Sequence, residues 1–262
     1  MSNYKANLPL AAFAGLLLVL LTSCIPQKRI MYLQDRDGGD TARVFDQAAS
    51  RDYRLQPGDN LYIRVIGLDE SANGMFNLAP GSSAVNYGNS EAGLYLSSYT
   101  VDPAGNIRMP VLGSINVKDK STEEAESAVQ QALDMYLKSS TVVIKLVSFY
   151  YTVLGEVRRP GRYPVYQPRL SLFEAIGEAG DLTTFGNRNK VRIIRGNSGR
   201  TEVLNVDLTR KDILSSPDFY LKPDDIIYVE PLRAKGLVFE AFPYTLIFST
   251  ITTTLLILNF LK

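Results

Sequence analysis

Hydrophobic and polar positions change their spacing several times along this chain, and each change marks a different kind of element. Lys5 precedes an uncharged apolar run over residues 8–21, the arrangement of a secretory signal. Residues 25–50 are polar and mixed, with Gly38-Gly39-Asp40 near the centre and no sustained period, which predicts a tether. Order should begin near Tyr53, where Leu55-Gln-Pro57-Gly58-Asp59-Asn-Leu61-Tyr62-Ile63-Arg-Val65 sets a turn before an alternating, β-branched strand. The same pattern returns as Leu221-Lys-Pro223-Asp224-Asp225-Ile-Ile227-Tyr228-Val229, a solution used twice rather than a repeat array. Between the first strand and Tyr99, residues 68–98 are rich in Ser, Asn, Gly, Ala and Tyr without a period, predicting a long surface loop.

Beyond that loop, Asp102-Pro103-Ala-Gly105-Asn106 separates two short apolar runs as a hairpin turn would. Ser121-Thr-Glu-Glu124 is a capping box, and Ala125, Ala128, Val129, Ala132, Leu133 and Tyr136 follow at helical spacing, predicting one amphipathic helix ending near Leu137 and packing across a sheet. The β-branched run over residues 141–148 predicts the next strand. A second unit opens near Phe149, with strands flanking Arg158-Arg-Pro160-Gly161, a capping box at Ser171-Leu-Phe-Glu174, a short helix stopping at Gly180, and strands near Val191, Val203 and Ile227. Strands flanking one helix predict a small β-grasp-like module. Length allows two modest domains.

The last apolar stretch, residues 241–261, carries no charge. About 20 helical residues cover roughly 30 Å, the thickness of a bilayer core, so a transmembrane or amphipathic helix is expected over residues 240–262. Thr245, Ser249, Thr252, Thr253 and Asn259 are spaced to share one side, opposite Leu246, Phe248, Leu255 and Leu258. Two readings stand: a plain anchor whose hydroxyls bond its own backbone, or one of several copies turning lipid-compatible faces outward and Thr245, Ser249, Thr252 and Asn259 to a wet lumen. Lys262 would snorkel to the far interface.

Composition sharpens this picture at one residue. The single cysteine, Cys24, follows Leu20-Leu21-Thr22-Ser23 at the end of the apolar run, which resembles the lipobox of bacterial lipoproteins, whose cysteine is acylated and becomes the new N-terminus. The competing reading is an uncleaved membrane helix with an incidental cysteine, for which the run is short. Ile25 rather than Asp follows the cysteine, which by analogy with enteric bacteria points to the outer membrane. With no histidine and one cysteine, the commonest general base and the usual metal ligands are missing, so no catalytic residues, metal or cofactor are expected. The 28 basic and 27 acidic residues nearly balance, giving no net field that would gather nucleic acid.

Arg188, Lys190, Arg192, Arg195 and Arg200 form a basic run. Lys190 and Arg192 alternate with Val191 and Ile193, so either they are the solvated face of a strand or they contact an acidic glycan. Pro57-Gly58-Asp59 reads as turn chemistry, with Asp59 bonding local backbone.

In order along the chain, Cys24, the segment from Tyr53 through Leu61, Val101-Asp-Pro-Ala-Gly-Asn-Ile-Arg-Met-Pro-Val-Leu-Gly113, Val153-Leu-Gly-Glu-Val-Arg-Arg-Pro-Gly-Arg-Tyr163 and the helix with its Ala179-Gly180-Asp181 turn resemble the Wza-type outer-membrane polysaccharide export lipoproteins. Asp181 stands where the family's β-grasp repeat has a second glycine. The resemblance implies an α+β chain: a signal peptide at 1–23, a lipidated tether at 24–50, a β-rich polysaccharide-export domain at 51–148, one SLBB-like β-grasp domain at 149–232, and the C-terminal transmembrane helix. It implies a homo-oligomeric ring, attached by the Cys24 lipid and the C-terminal helix, that exports capsular or extracellular polysaccharide from a diderm bacterium. The implied partner is an inner-membrane polysaccharide copolymerase, paired with or fused to a tyrosine kinase. The alternative is a doubly anchored glycan-binding or scaffolding lipoprotein that forms no pore.

Overall fold

The computed structural model describes residues 30–34, 44–45, 53–68, 73–77, 91–197, 199–233, 235 and 244–260. The signal segment and Cys24 lie outside the described residues, as does most of the segment read as a tether.

The first unit is built on β1 (Asn60–Gly67), flanked by β2 (Tyr99–Thr100) and β5 (Ser140–Leu146) in an antiparallel sheet ordered β2-β1-β5. Alternation along β1 sends Leu61, Ile63 and Val65 inward, and the register sets Ile63 opposite Ile144. Helix α2 (Thr122–Leu133) lays Ala125, Val129 and Leu133 on this face. Its start is fixed by Ser121 Oγ, which accepts from Glu124 N at 3.2 Å, while Glu124 Oε2 accepts from Ser121 N at 3.0 Å. Such a cap is worth about 0.5–2 kcal/mol. The regular helix ends at Leu133, and the chain goes on through one further turn toward Leu137, in which Tyr136 N and Leu137 N both donate to Leu133 O. Gln130 then ties helix to sheet, accepting from Val142 N at 2.9 Å and donating to Ser140 O at 3.0 Å.

Two local expectations change here. Asp102–Gly105 does not join a hairpin. Asp102 accepts from Gly105 N through its carbonyl and from Asn106 N through its carboxylate, and its own N donates to Asn106 O, a closed turn beyond which β2 and β3 form no ladder. The hairpin lies just beyond, pairing β3 (Asn106–Met109) with β4 (Gly113–Asn116), with Val111 at φ 64° in its loop. The stretch read as loop also contains a short helix, α1 (Glu91–Leu96), and earlier in it Asn77 both donates to and accepts from the Val65 backbone. Six residues are too few for a hydrophobic period to show.

The second unit is a five-stranded sheet ordered β7-β6-β10-β8-β9, made of β6 (Tyr150–Gly155), β7 (Gly161–Pro164), β8 (Gly186–Asn197), β9 (Arg200–Val206) and β10 (Ile226–Pro231). Its central pair, β6 and β10, is parallel, and all other pairs are antiparallel. Helix α3 (Leu172–Glu178), held by the reciprocal Ser171–Glu174 cap, buries Leu172, Ala175 and Ile176 against Tyr151, Val153, Ile193 and Ile227. Gly155 ends β6 at φ 90°, where a Cβ would sit 2.1 Å from the Val229 carbonyl, so the close approach of β6 to β10 requires glycine.

Residues 32–34 are not a free tether. Leu33 N donates to Leu208 O at 3.1 Å and Gln34 N to Thr209 O at 2.6 Å, while Tyr32 packs edge-on against Phe173 and donates its hydroxyl to Asp181. The segment is a short strap on the second unit.

Helix α4 (Tyr244–Phe260) has 17 residues. Among the described residues no helix is long and apolar enough to cross a membrane, so the transmembrane helix expected over residues 240–262 is not found among them. At 1.5 Å per residue α4 covers about 26 Å, short of a typical bilayer core of about 30 Å. Its described side chains are all exposed, Phe260 at 92%.

Candidate functional site

Three regions hold the residues that sequence reasoning singled out. On α4, Thr245, Ser249, Thr252 and Asn259 are exposed and fall on one side at about 100° per residue. The segregation is weaker than expected. Thr250 and Thr254 lie on the far side, and Phe248, four residues before Thr252, is only about 40° from it. The hydroxyls also look inward: Thr252 donates to Phe248 O, Thr253 to Ser249 O and Thr254 to Thr250 O, each at 2.7 Å. Each bond removes a polar group's demand for water, so the helix is more compatible with an apolar surrounding than its threonine content suggests.

The basic run on β8 divides between two environments. Lys190 and Arg192 are exposed, and Arg192 pairs with Glu230 on β10. Arg188 is buried, with its guanidinium 5.1 Å from the Tyr32 ring and a hydrogen bond to Gly186 O at 3.2 Å. Arg195 is buried with a two-pronged bond to Asp225, Nε to Oδ1 at 2.9 Å and Nη2 to Oδ2 at 2.7 Å, and a third contact to Asp218 at 3.3 Å. Burial opposes its charge, but Asp225 and then Asp218 hold the guanidinium pKa above its usual value. Sequence alternation already contained this: Arg195 shares parity with Val191 and Ile193, and a cation on an inner face demands an anion.

Around residues 147–150, which link the units, the repeated turns meet. In the first, Asp59 Oδ2 accepts from Gln56 N at 2.8 Å, and Gly58 turns the chain at φ 98°. In the second, Asp225 Oδ2 accepts from Lys222 N at 2.8 Å, and Asp224 takes the corresponding place at φ 62°. Val147 N donates to Asn60 O at 2.9 Å, just past the first turn, and Asp224 N donates to Tyr150 O at 2.8 Å, within the second. Ser148 Oγ donates to Asp59 Oδ1 at 3.3 Å, as does the Tyr53 hydroxyl at 3.2 Å. Burial raises the Asp59 pKa despite these donors, with Asp224 adding repulsion. Arg162 completes the junction, lying 3.7 Å over the Tyr150 ring and pairing with Glu91 of α1 at 2.8 Å. Tyr53 and Arg162 lay in segments the sequence already singled out, but nothing there gave either a partner, and Ser148 carried no signal beyond ending a strand; the fold brings Ser148 and Arg162 to these turns. Among the described residues no cluster of His, Cys, Asp and Glu is arranged to hold a metal ion.

The two units coincide with known sequence families. Residues 47–147 match the family described as polysaccharide biosynthesis/export protein, and residues 150–229 match the SLBB domain. The EPS I polysaccharide export outer membrane protein EpsA of Ralstonia solanacearum is 27% identical over 188 residues, covering 70% of this chain and 49% of that protein. EpsA of Ralstonia nicotianae is 26% identical over 189 residues, 70% of this chain and 48% of its own. The exopolysaccharide production protein ExoF of Rhizobium meliloti is 26% identical over 171 residues, 64% and 36% respectively. The chain thus spans about half the length of the EpsA relatives it matches. With a polysaccharide-export unit leading directly into an SLBB unit, the chain belongs to the Wza-type polysaccharide export family.

Proposed function

We propose that this protein is an outer-membrane lipoprotein, acylated at Cys24, whose copies assemble into a ring that exports capsular or extracellular polysaccharide. In this reading the export domain spans 51–148 and the SLBB-like domain 149–232, both in the periplasm, and the copies of α4 form the exit. The observation that carries the proposal is α4 itself: a 17-residue apolar helix with its described side chains exposed, following two units that match a polysaccharide export family. Buried apolar faces stabilise soluble proteins, so an uncovered one of this size calls for lipid or other copies. Its length of about 26 Å is short for an average bilayer, but the bacterial outer membrane is thinner than average, with β-barrel apolar bands about 25 Å tall. An inner-membrane copolymerase, with or without a tyrosine kinase, would hand the polymer to the ring.

A second reading has its own support. Because Thr252, Thr253 and Thr254 bond their own helix, α4 needs no wet lumen, and a doubly anchored glycan-binding or scaffolding lipoprotein without a pore would suit it. Deleting residues 241–262 separates the two. On the channel reading, surface polysaccharide disappears while the two periplasmic units still unfold cooperatively in urea. Normal surface polysaccharide from the truncated protein would defeat it.

A further inference from the structure

The two segments that the membrane reading ties to lipid reach the second unit at one end of its sheet. The strap at residues 32–34 bonds Leu208, Thr209 and Asp181, and Tyr32 lies eight positions after Cys24, a reach of at most about 29 Å. At that same end β10 finishes at Pro231, Leu232 N donates to Phe185 O at 2.7 Å, and the chain continues past Lys235 toward α4. Strand directions agree, since β6 and β10 end there and β8 begins there.

This end is basic, whereas the chain as a whole is nearly neutral. Arg158, Arg159, Lys190, Arg192, Arg233 and Lys235 are exposed on it. Its nearby carboxylates are already engaged: Glu156 with Lys235, Glu230 with Arg192, Asp181 with the Tyr32 hydroxyl and Leu182 N, and Asp207, across β8–β9 from Lys190, with Asn189 and Thr209. Arg158, Lys190 and Arg233 have no ion-pair partner among the described residues. The far end of the sheet carries mixed charge, with Asp218 and Asp225 paired to Arg195 and Asp224 and Lys222 beside them.

We infer that the basic end of the second unit is a docking face for an anionic phospholipid surface, with Arg158, Lys190 and Arg233 meeting the headgroup phosphates. It rests on the membrane reading above only for the direction in which this end faces. The first unit then points away from the bilayer. Each basic residue held near an anionic surface raises partitioning about fivefold, so the three together contribute on the order of 100-fold.

The test uses the full chain with vesicles of phosphatidylcholine alone and of phosphatidylcholine mixed with phosphatidylglycerol, reading flotation and amide hydrogen exchange over residues 155–161 and 184–192. The expected result is flotation with both vesicles but slowed exchange at this end only on the anionic ones, fading as salt rises from about 0.05 to 0.5 M. Combined Arg158→Glu, Lys190→Glu and Arg233→Glu, all at exposed positions, should remove the slowing and leave the circular dichroism spectrum unchanged. Equal exchange on the two vesicle types overturns the docking face and leaves the membrane anchor standing. Slowing by soluble alginate but not by the anionic vesicles overturns it in favour of a glycan track. Flotation on anionic vesicles alone keeps the docking face and overturns the anchor, and flotation on neither overturns both.

Discussion

The two turns at Pro57-Gly58-Asp59 and Pro223-Asp224-Asp225 solve one backbone problem and then part company. In both, a carboxylate three residues on caps the turn at 2.8 Å and a left-handed residue precedes it. Asp59 spends its remaining capacity on two neutral hydroxyls, those of Tyr53 and Ser148, whereas Asp225 is wholly buried and grips Arg195 through both oxygens. Turn chemistry is therefore local and reusable, while the counter-group is supplied by whatever the fold packs alongside. The first turn meets the flexible choice, hydroxyls from the inter-unit linker and the chain entry, and the second is locked to the centre of a five-stranded sheet.

The largest effect should come from breaking the second turn. Arg195→Met leaves Asp225 buried without its cation and should cost about 3–5 kcal/mol in urea unfolding. Adding Asp225→Asn should restore part of that loss, because the two side chains form one unit. If Arg195→Met costs no more than a surface substitution, the contrast between the turns is wrong.

Asp59→Ala should cost less, about 1–3 kcal/mol, since it leaves neutral donors unpaired rather than a charge. A loss matching that of Arg195→Met would erase the distinction.

The smallest effect is in pH. Burial raises the folded pKa of Asp59 above its unfolded value, so its favourable contribution is complete below the unfolded value and is lost as pH rises through the folded one. Glu156 behaves oppositely. Its hydrogen bond from Lys235, and then that from Thr183, lower its pKa, so its contribution is present above the unfolded value and fades as pH falls through the folded one. As pH falls toward the ordinary aspartate range, the protection of amides near residues 56–61, measured relative to their intrinsic exchange rates at each pH, should rise, and Asp59→Asn should abolish that rise. A fall in their protection over the same range would contradict the assignment.

Much of this was legible in the sequence, for identifiable reasons. Both capping boxes and the inward residues of β1 follow directly from spacing, and the turn echo is a string comparison that the geometry repeats. The hairpin was misplaced because Asp102 and Gly105 close a turn as strong as a hairpin's without joining paired strands. Short α1 left no period to detect. The strap of residues 32–34 was invisible because its partners, Leu208 and Thr209, are remote in sequence. On α4, spacing suggested a sharper polar face than Thr250 and Thr254 allow.

The most direct measurement of the central claim is native mass spectrometry of the mature protein released gently from detergent, which reads acylation and subunit number together. The channel account predicts a closed ring of several subunits, each carrying the mass of lipid on Cys24. A lipidated monomer that persists across mild detergents would contradict it and leave α4 as a second anchor on a binding protein.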